Sequence, residues 1–243
     1  MERPLLYQIN TRVLLQERTV ELGRSATLDD LPDSLFEHLA AVGVEWVWFL
    51  GVWQTGTAGP AISRTRPELR AACLHCLPDL KEEDICGSPF AIQSYQVHRD
   101  FGDDSALARL RQRLARRGLR LLLDFVPNHV ALDHPWVESH PEFFIRGTEA
   151  DLAREPNNYV RLRTSRGECI LAYGRDPYFP GWPDTLQLNY RHRAARQALI
   201  GELLRVSNQC DGVRCDMAML VQPEVFQRTW GDRALPADGS PPV

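Results

Sequence analysis

Leu119-Arg120-Leu121-Leu122-Leu123-Asp124-Phe125-Val126 is a continuous apolar run broken only by Arg120 and Asp124. Such a run, set between Gly118 and Pro127, reads as a strand buried on both faces, the pattern of a parallel sheet. Upstream, Ser105 can cap a helix that places Leu107, Leu110 and Leu114 on one face, and Gly118 ends that helix. The same helix, tight turn and strand recur on either side. From Pro32, Leu35, Leu39 and Val42 keep helical spacing, Gly43 follows, and Trp46 to Leu50 reads as a strand. From Ala194, Leu199, Leu203 and Val206 lead to the turn Asp211-Gly212 and a strand from Val213 to Met217. A further strand, Leu5 to Val13, is expected to open the chain, and no sequence repeat accompanies the recurrence.

Strands alternating with helices, joined helix to strand by tight glycine turns, predict an α/β fold with right-handed βαβ units and a parallel sheet. The strand-to-helix connections differ in kind. Gly51 to Asp104 and Pro127 to Tyr190 are long excursions, so the elaboration gathers at the carboxyl ends of the strands. In barrels and open α/β sheets alike, that end carries the site.

Of the 243 residues, 44% are hydrophobic and 25% charged, enough apolar content for one large domain or two smaller ones with a core. No apolar stretch approaches the length of a membrane span, and Met1-Glu2-Arg3-Pro4 lacks the basic-then-apolar pattern of a secretory signal, which predicts a cytoplasmic protein. A net charge of −4 with dispersed arginines gives no reason to expect nucleic acid or an anionic membrane as partner. Lys81 is the only lysine. The six cysteines are expected as thiols. Cys73-Leu74-His75-Cys76 with Cys86 offers metal-ligand types at close spacing, yet the second pair of a structural zinc site is missing. The turn after the first strand lacks a glycine-rich phosphate loop, which argues against a doubly wound nucleotide-binding protein.

Two segments bring polar groups to strand ends. Asp124-Phe125-Val126-Pro127-Asn128-His129 leaves the sheet with a carboxylate, an amide and an imidazole, and Asn128 has an oxygen suited to a hard cation. Gly212-Val213-Arg214-Cys215-Asp216 sets an arginine and an aspartate two positions apart, so that both side chains would share one face of a strand. An arginine that close favours the ionised carboxylate, which suits a nucleophile better than a proton donor; an ordinary ion pair at a strand end is the plainer reading. Cys215 would point to the opposite face as a small buried hydrophobe.

Asp124 to His129, followed downstream by Gly212 to Asp216, resembles two signature motifs of the α-amylase family of glycoside hydrolases, in the family's order. The resemblance runs from Tyr7-Gln8-Ile9-Asn10, similar to the family's first strand, through Phe101-Gly102 to about Trp230. It implies a fold of the (β/α)8 TIM-barrel type, of which this chain would hold about the first four β/α units. Residues 1–126 would form the first part of the barrel, 127–190 an irregular domain inserted after the third strand, 191–230 the third helix and fourth strand, and 231–243 a disordered tail. The resemblance further implies Asp216 as the nucleophile of a retaining double displacement and Arg214 as the arginine that orients and ionises it. It implies Asp124 and His129 as substrate-binding groups and Asn128 as a calcium ligand of the kind some members use. Phe90, or else Tyr95, stands where the family places a tyrosine that stacks on the sugar. The implied partner is an α-glucan or α-glucoside.

The chain also departs from the family pattern. Leu186-Gln187-Leu188-Asn189 resembles a further family motif, with Gln187 where an aspartate is common. Met217-Ala218-Met219-Leu220 stand where many members carry a lysine and a histidine. The family's general acid, a glutamate after the fifth strand, has no identifiable counterpart, and the chain is expected to stop before it. Two functional expectations follow. One is the amino-terminal half of a hydrolase or transglycosylase acting on α-glucosidic bonds. The other is a catalytically inactive half-barrel, a sugar-binding or assembly partner, able to self-associate through exposed sheet edges. Of Tyr173, Tyr178, Phe179, Trp182 and Tyr190, most are expected in the insertion's own core and one or two at the cleft; Trp46, Trp48 and Trp53 are expected as core.

Overall fold

The computed structural model describes residues 3–234. Its strands, in chain order, are β1 (Leu5–Asn10), β2 (Val44–Leu50), β3 (Trp53–Thr55), β4 (Ile92–Val97), β5 (Arg120–Phe125), β6 (His129–Ala131), β7 (Tyr159–Thr164), β8 (Gly167–Ala172), β9 (Thr185–Gln187) and β10 (Gly212–Cys215). The helices are α1 (Thr11–Leu22), α2 (Asp33–Ala41), α3 (Ala58–Thr65), α4 (Pro67–Cys76), α5 (Asp104–Ala115), α6 (Trp136–Ser139), α7 (Glu149–Arg154), α8 (Arg193–Gln209) and α9 (Pro223–Trp230). β3 and β4 form a separate two-stranded sheet.

The chain divides into two compact units. The first draws on residues up to Gln54, on Ser94–Phe125 and on Gly201–Cys215. At its centre is a parallel sheet in the order β1-β2-β5-β10, so the expected α/β fold is present. Register sets Val47 beside Leu121 and Phe49 beside Leu123, and all four are fully buried. Helices α2 and α5, which contact β2 and β5, add Phe36, Leu39, Leu107, Leu110 and Leu114 to this core. Each such side chain stabilises the fold by about 1.5–3 kcal/mol relative to exposure.

Trp46, Trp48 and Leu122 alternate with those residues onto the opposite face and are only partly buried. In β1, Leu5, Leu6 and Tyr7 are 50%, 46% and 46% exposed. The expectation of strands buried on both faces therefore holds for one face, the one that α2 and α5 line. The turns entering β2 and β5 need Gly43 (φ 87°) and Gly118 (φ 74°). Open space surrounds both, so backbone conformation rather than room excludes a side chain there.

Three boundaries differ from expectation. β1 ends at Asn10 rather than Val13, because the Asn10 side chain accepts a hydrogen bond from Val13 N at 3.3 Å and starts α1. α5 is capped by Asp103, which accepts from Ala106 N at 2.8 Å, while Ser105 Oγ donates to the same carboxylate at 2.6 Å. β10 ends at Cys215 rather than Met217. On the surface of this unit Arg109, Arg113 and Arg117 meet Asp29, Asp33 and Glu37 at 2.6, 2.5 and 2.8 Å.

The second unit draws on Thr55–Gln93, Val126–Ile200 and residues from Asp216 onward. It contains two antiparallel pairs, β6 with β9 and the hairpin β7 with β8. Its core gathers Ile145, Tyr159, Ile170, Ala172, Phe226, Trp230 and Ala234. Gly231–Ala234, expected to begin a disordered tail, form a 3-10 turn that buries Ala234; residues 235–243 lie outside the described residues. Among the described residues no helix is long and apolar enough to cross a membrane.

Candidate functional site

In the first unit the last turn of strand before the loops carries a fixed carboxylate. Asp124, on β5, is fully buried and accepts from Gly51 N at 2.9 Å and from the Trp48 indole N–H at 3.2 Å. Register places Arg214 of β10 directly beside it, with Nη1 3.6 Å from Oδ1. The Arg214 guanidinium also lies 5.0 Å from the centre of the Trp48 ring. Trp53 Nε1 donates to the Asp124 backbone oxygen at 2.7 Å. The carboxylate thus has donors on several sides, which hold it in one orientation. Trp48 was expected only as core, yet it touches both charged groups. Alternation assigns a residue to a face of a strand but not to a hydrogen bond.

Asp216 is buried, and it follows β10 instead of belonging to it. The next residue, Met217, has φ 50°, the only non-glycine in the left-handed region among the described residues. That turn ends the extended chain just after Asp216. Cys215 is exposed, not buried, because β10 is the last strand of its sheet and the residue sits at its end.

Tyr95 lies in the first unit, buried between two rings: Phe125 stacks on it at 5.4 Å and Trp53 meets it edge-on at 5.6 Å. Phe90, in the second unit, is partly buried in a turn where its N–H donates to Ser88 Oγ at 3.2 Å.

The second unit brings Asn128 and His129 together with two residues the sequence reading had set apart. Trp182 meets the His129 ring edge-on at 5.1 Å, and Gln187 pairs with Asn128. Burial lowers the His129 pKa to about 4, so the imidazole is neutral near neutral pH. Asn128 Nδ2 donates to His129 Nδ1 at 3.4 Å, which leaves the ring proton on Nε2 as a donor. Of the other insertion aromatics, Tyr190 packs on Phe226 and donates to Pro127 O at 2.8 Å, whereas Tyr178 and Phe179 are exposed.

The donor set at Asn128 does not suit calcium. Asn128 Oδ1 accepts from Gln187 Nε2 at 3.0 Å, and Asn128 Nδ2 donates to Gln187 Oε1 at 3.2 Å, so each amide satisfies the other. Calcium takes six to eight oxygens, carboxylates commonly among them. Among the described residues no group of three or more His, Cys, Asp or Glu side chains is placed to hold a metal ion, the Cys73 to Cys86 segment included, and its cysteines are free thiols.

Comparison with known proteins gives a consistent picture. The alpha-amylase catalytic-domain model matches residues 89–234. The chain is similar to alpha-amylase MalA of Haloarcula japonica, 24% identical over 227 residues that cover 93% of this chain and 27% of that protein. It is also similar to an alpha-1,4-glucan:maltose-1-phosphate maltosyltransferase of Cereibacter sphaeroides, 40% identical over 66 residues, 25% of this chain and 10% of the other. Among solved structures, an alpha-amylase from Lactobacillus plantarum superposes with a TM-score of 0.58 at 20% identity, covering 95% of this chain and 42% of that one. An isomaltulose synthase from Klebsiella sp. LX3 gives 0.60 at 15% identity, covering 97% and 40%. At these identities the structural likeness speaks for fold. This chain spans about a quarter or less of the length of these curated relatives and about two fifths of the solved chains.

Proposed function

We propose a function from this premise: the chain belongs to the alpha-amylase family of catalytic domains. It carries the nucleophile-bearing part of a (β/α)8-type barrel that acts on α-glucosidic bonds, with residues 127–190 as an irregular insertion. The reading includes both hydrolysis and glycosyl transfer, since the similar proteins bear the names of an amylase and of a glucan maltosyltransferase.

In this reading the Asp216 carboxylate attacks the anomeric carbon, the bond to the leaving group breaks, and a glycosyl ester forms. Water or a sugar hydroxyl then attacks the same carbon and frees Asp216. Arg214 keeps the strand end positively charged, and Asp124, held by Gly51, Trp48 and Arg214, accepts hydrogen bonds from sugar hydroxyls. The His129 Nε2–H donates to a sugar oxygen, and Phe90 or Tyr95 supplies a ring for the sugar face. No residue of this chain is assigned the role of general acid.

The observation that carries the reading is the Asp124–Arg214 contact across β5 and β10, which sets a carboxylate and an arginine from two motifs side by side at strand ends. The test uses a fluoro-glucosyl fluoride, whose fluoride departs without much help from an acid. Incubation should add one glycosyl unit to the intact mass, mapped to Asp216, and Asp216→Asn should abolish it. A folded chain that takes no label while still binding maltose would favour the sugar-binding or assembly role instead.

A further inference from the structure

We infer that the Gln187 amide does in this chain the work a bound cation would do, and that the site at Asn128 is independent of calcium. The inference stands apart from the catalytic reading. Gln187 Nε2 lies 3.0 Å from Asn128 O, 3.0 Å from Asn128 Oδ1 and 3.1 Å from Leu188 O. Three carbonyl oxygens thus converge on one NH2 group that has only two hydrogens. An all-oxygen cradle is the environment a hard cation selects, and here its centre holds the positive end of an amide dipole. Both residues are fully buried, so no solvent shares these oxygens.

The cradle differs from a calcium site in two ways. Its three oxygens surround a nitrogen at N–H···O length, wider than the roughly 2.3–2.6 Å of calcium–oxygen contacts. All three oxygens are neutral, so a dication drawn into the buried space would lose hydration without meeting a counter-charge. The amide also completes a structural link. His129 pairs with Gln187 across β6 and β9, and Leu188 N donates to Asn128 O at 3.2 Å, so the Gln187 side chain fastens the start of one strand to the end of the other. A carboxylate at position 187 would reverse the situation: its oxygens would face Asn128 O, Asn128 Oδ1 and Leu188 O with no proton between them, and a divalent cation would relieve that repulsion.

The test follows thermal unfolding of the whole chain in EDTA and in millimolar calcium. The unsubstituted protein should melt at the same temperature in both. Gln187→Glu should melt more than about 5 °C lower in EDTA, a loss that corresponds to roughly a kcal/mol or more for a chain of this size. It should recover saturably as calcium is added. A saturable calcium-dependent rise in the melting temperature of the unsubstituted protein that Asn128→Ala removes would overturn the inference, whether or not the glutamate variant folds. A folded Gln187→Glu that is destabilised but indifferent to calcium would overturn it too.

Discussion

Trp48 holds Asp124 with its indole N–H while offering its ring to Arg214, so one side chain serves both charges. Trp48→Phe keeps a ring and removes the donor. It should cost about 1 kcal/mol in a urea titration and slow labelling at Asp216, whereas a purely structural tryptophan would change only the first. Two buried histidines contribute to the pH dependence of stability. Burial holds His129 and His134 at about 4, below the ordinary 6.5. As pH falls through 6.5 the unfolded chain takes up these protons and the folded chain does not, so the stability these two groups govern declines from there until about pH 4, where their own contribution levels. Each histidine adds a slope of at most about 1.4 kcal/mol per pH unit. His134→Gln should flatten the fall in urea midpoint between neutral and mildly acidic pH. At this scale the sequence showed Asp124, Arg214, Asn128 and His129 as polar groups at strand ends, because such residues are conspicuous in apolar runs. The partners Trp48, Gly51 and Gln187 were hidden, since an indole, a backbone amide and a carboxamide carry no signal until the chain is folded.

The helix-to-strand turns were legible as elements because Gly43 and Gly118 end apolar helical patterns, and both adopt the left-handed conformation those turns need. α1 was missed for the converse reason: its sequence lacks a clear apolar face, and its start depends on the Asn10 cap rather than on periodicity. The β7–β8 hairpin was missed as well, its strands being mostly solvent-facing around the turn at Gly167. Charge spacing also became meaningful only between elements. Arg109, Arg113 and Arg117 recur one helical turn apart, and Asp29, Asp33 and Glu37 recur at the same interval, so two stripes meet. Arg113 further donates to the backbone oxygens of Leu28 and Leu31. Arg113→Met should lower the melting temperature more than Arg109→Met, since it also strands two carbonyls, and the Arg109 effect should fade with added salt.

At the scale of the molecule, β1 and β10 are the outer strands of the parallel sheet among the described residues, and β1 exposes Leu5, Leu6 and Tyr7. An edge of this kind is a template for association. Leu6→Lys should shift the chain toward the monomer in concentration-dependent light scattering without a change in its circular dichroism spectrum. The α/β class was readable from the alternation of elements, and the stretch expected as an insertion, 127–190, lies within the second unit; that 55–93 and the residues from 216 onward join it was not readable, because they lie far apart in the sequence. That interleaving has a genetic and a synthetic consequence. No single recombination event can transplant either unit, for any contiguous segment large enough to include one contains much of the other. On the ribosome, the sheet stays one strand short until Gly212–Cys215 emerge, by which time most of the second unit has already been translated.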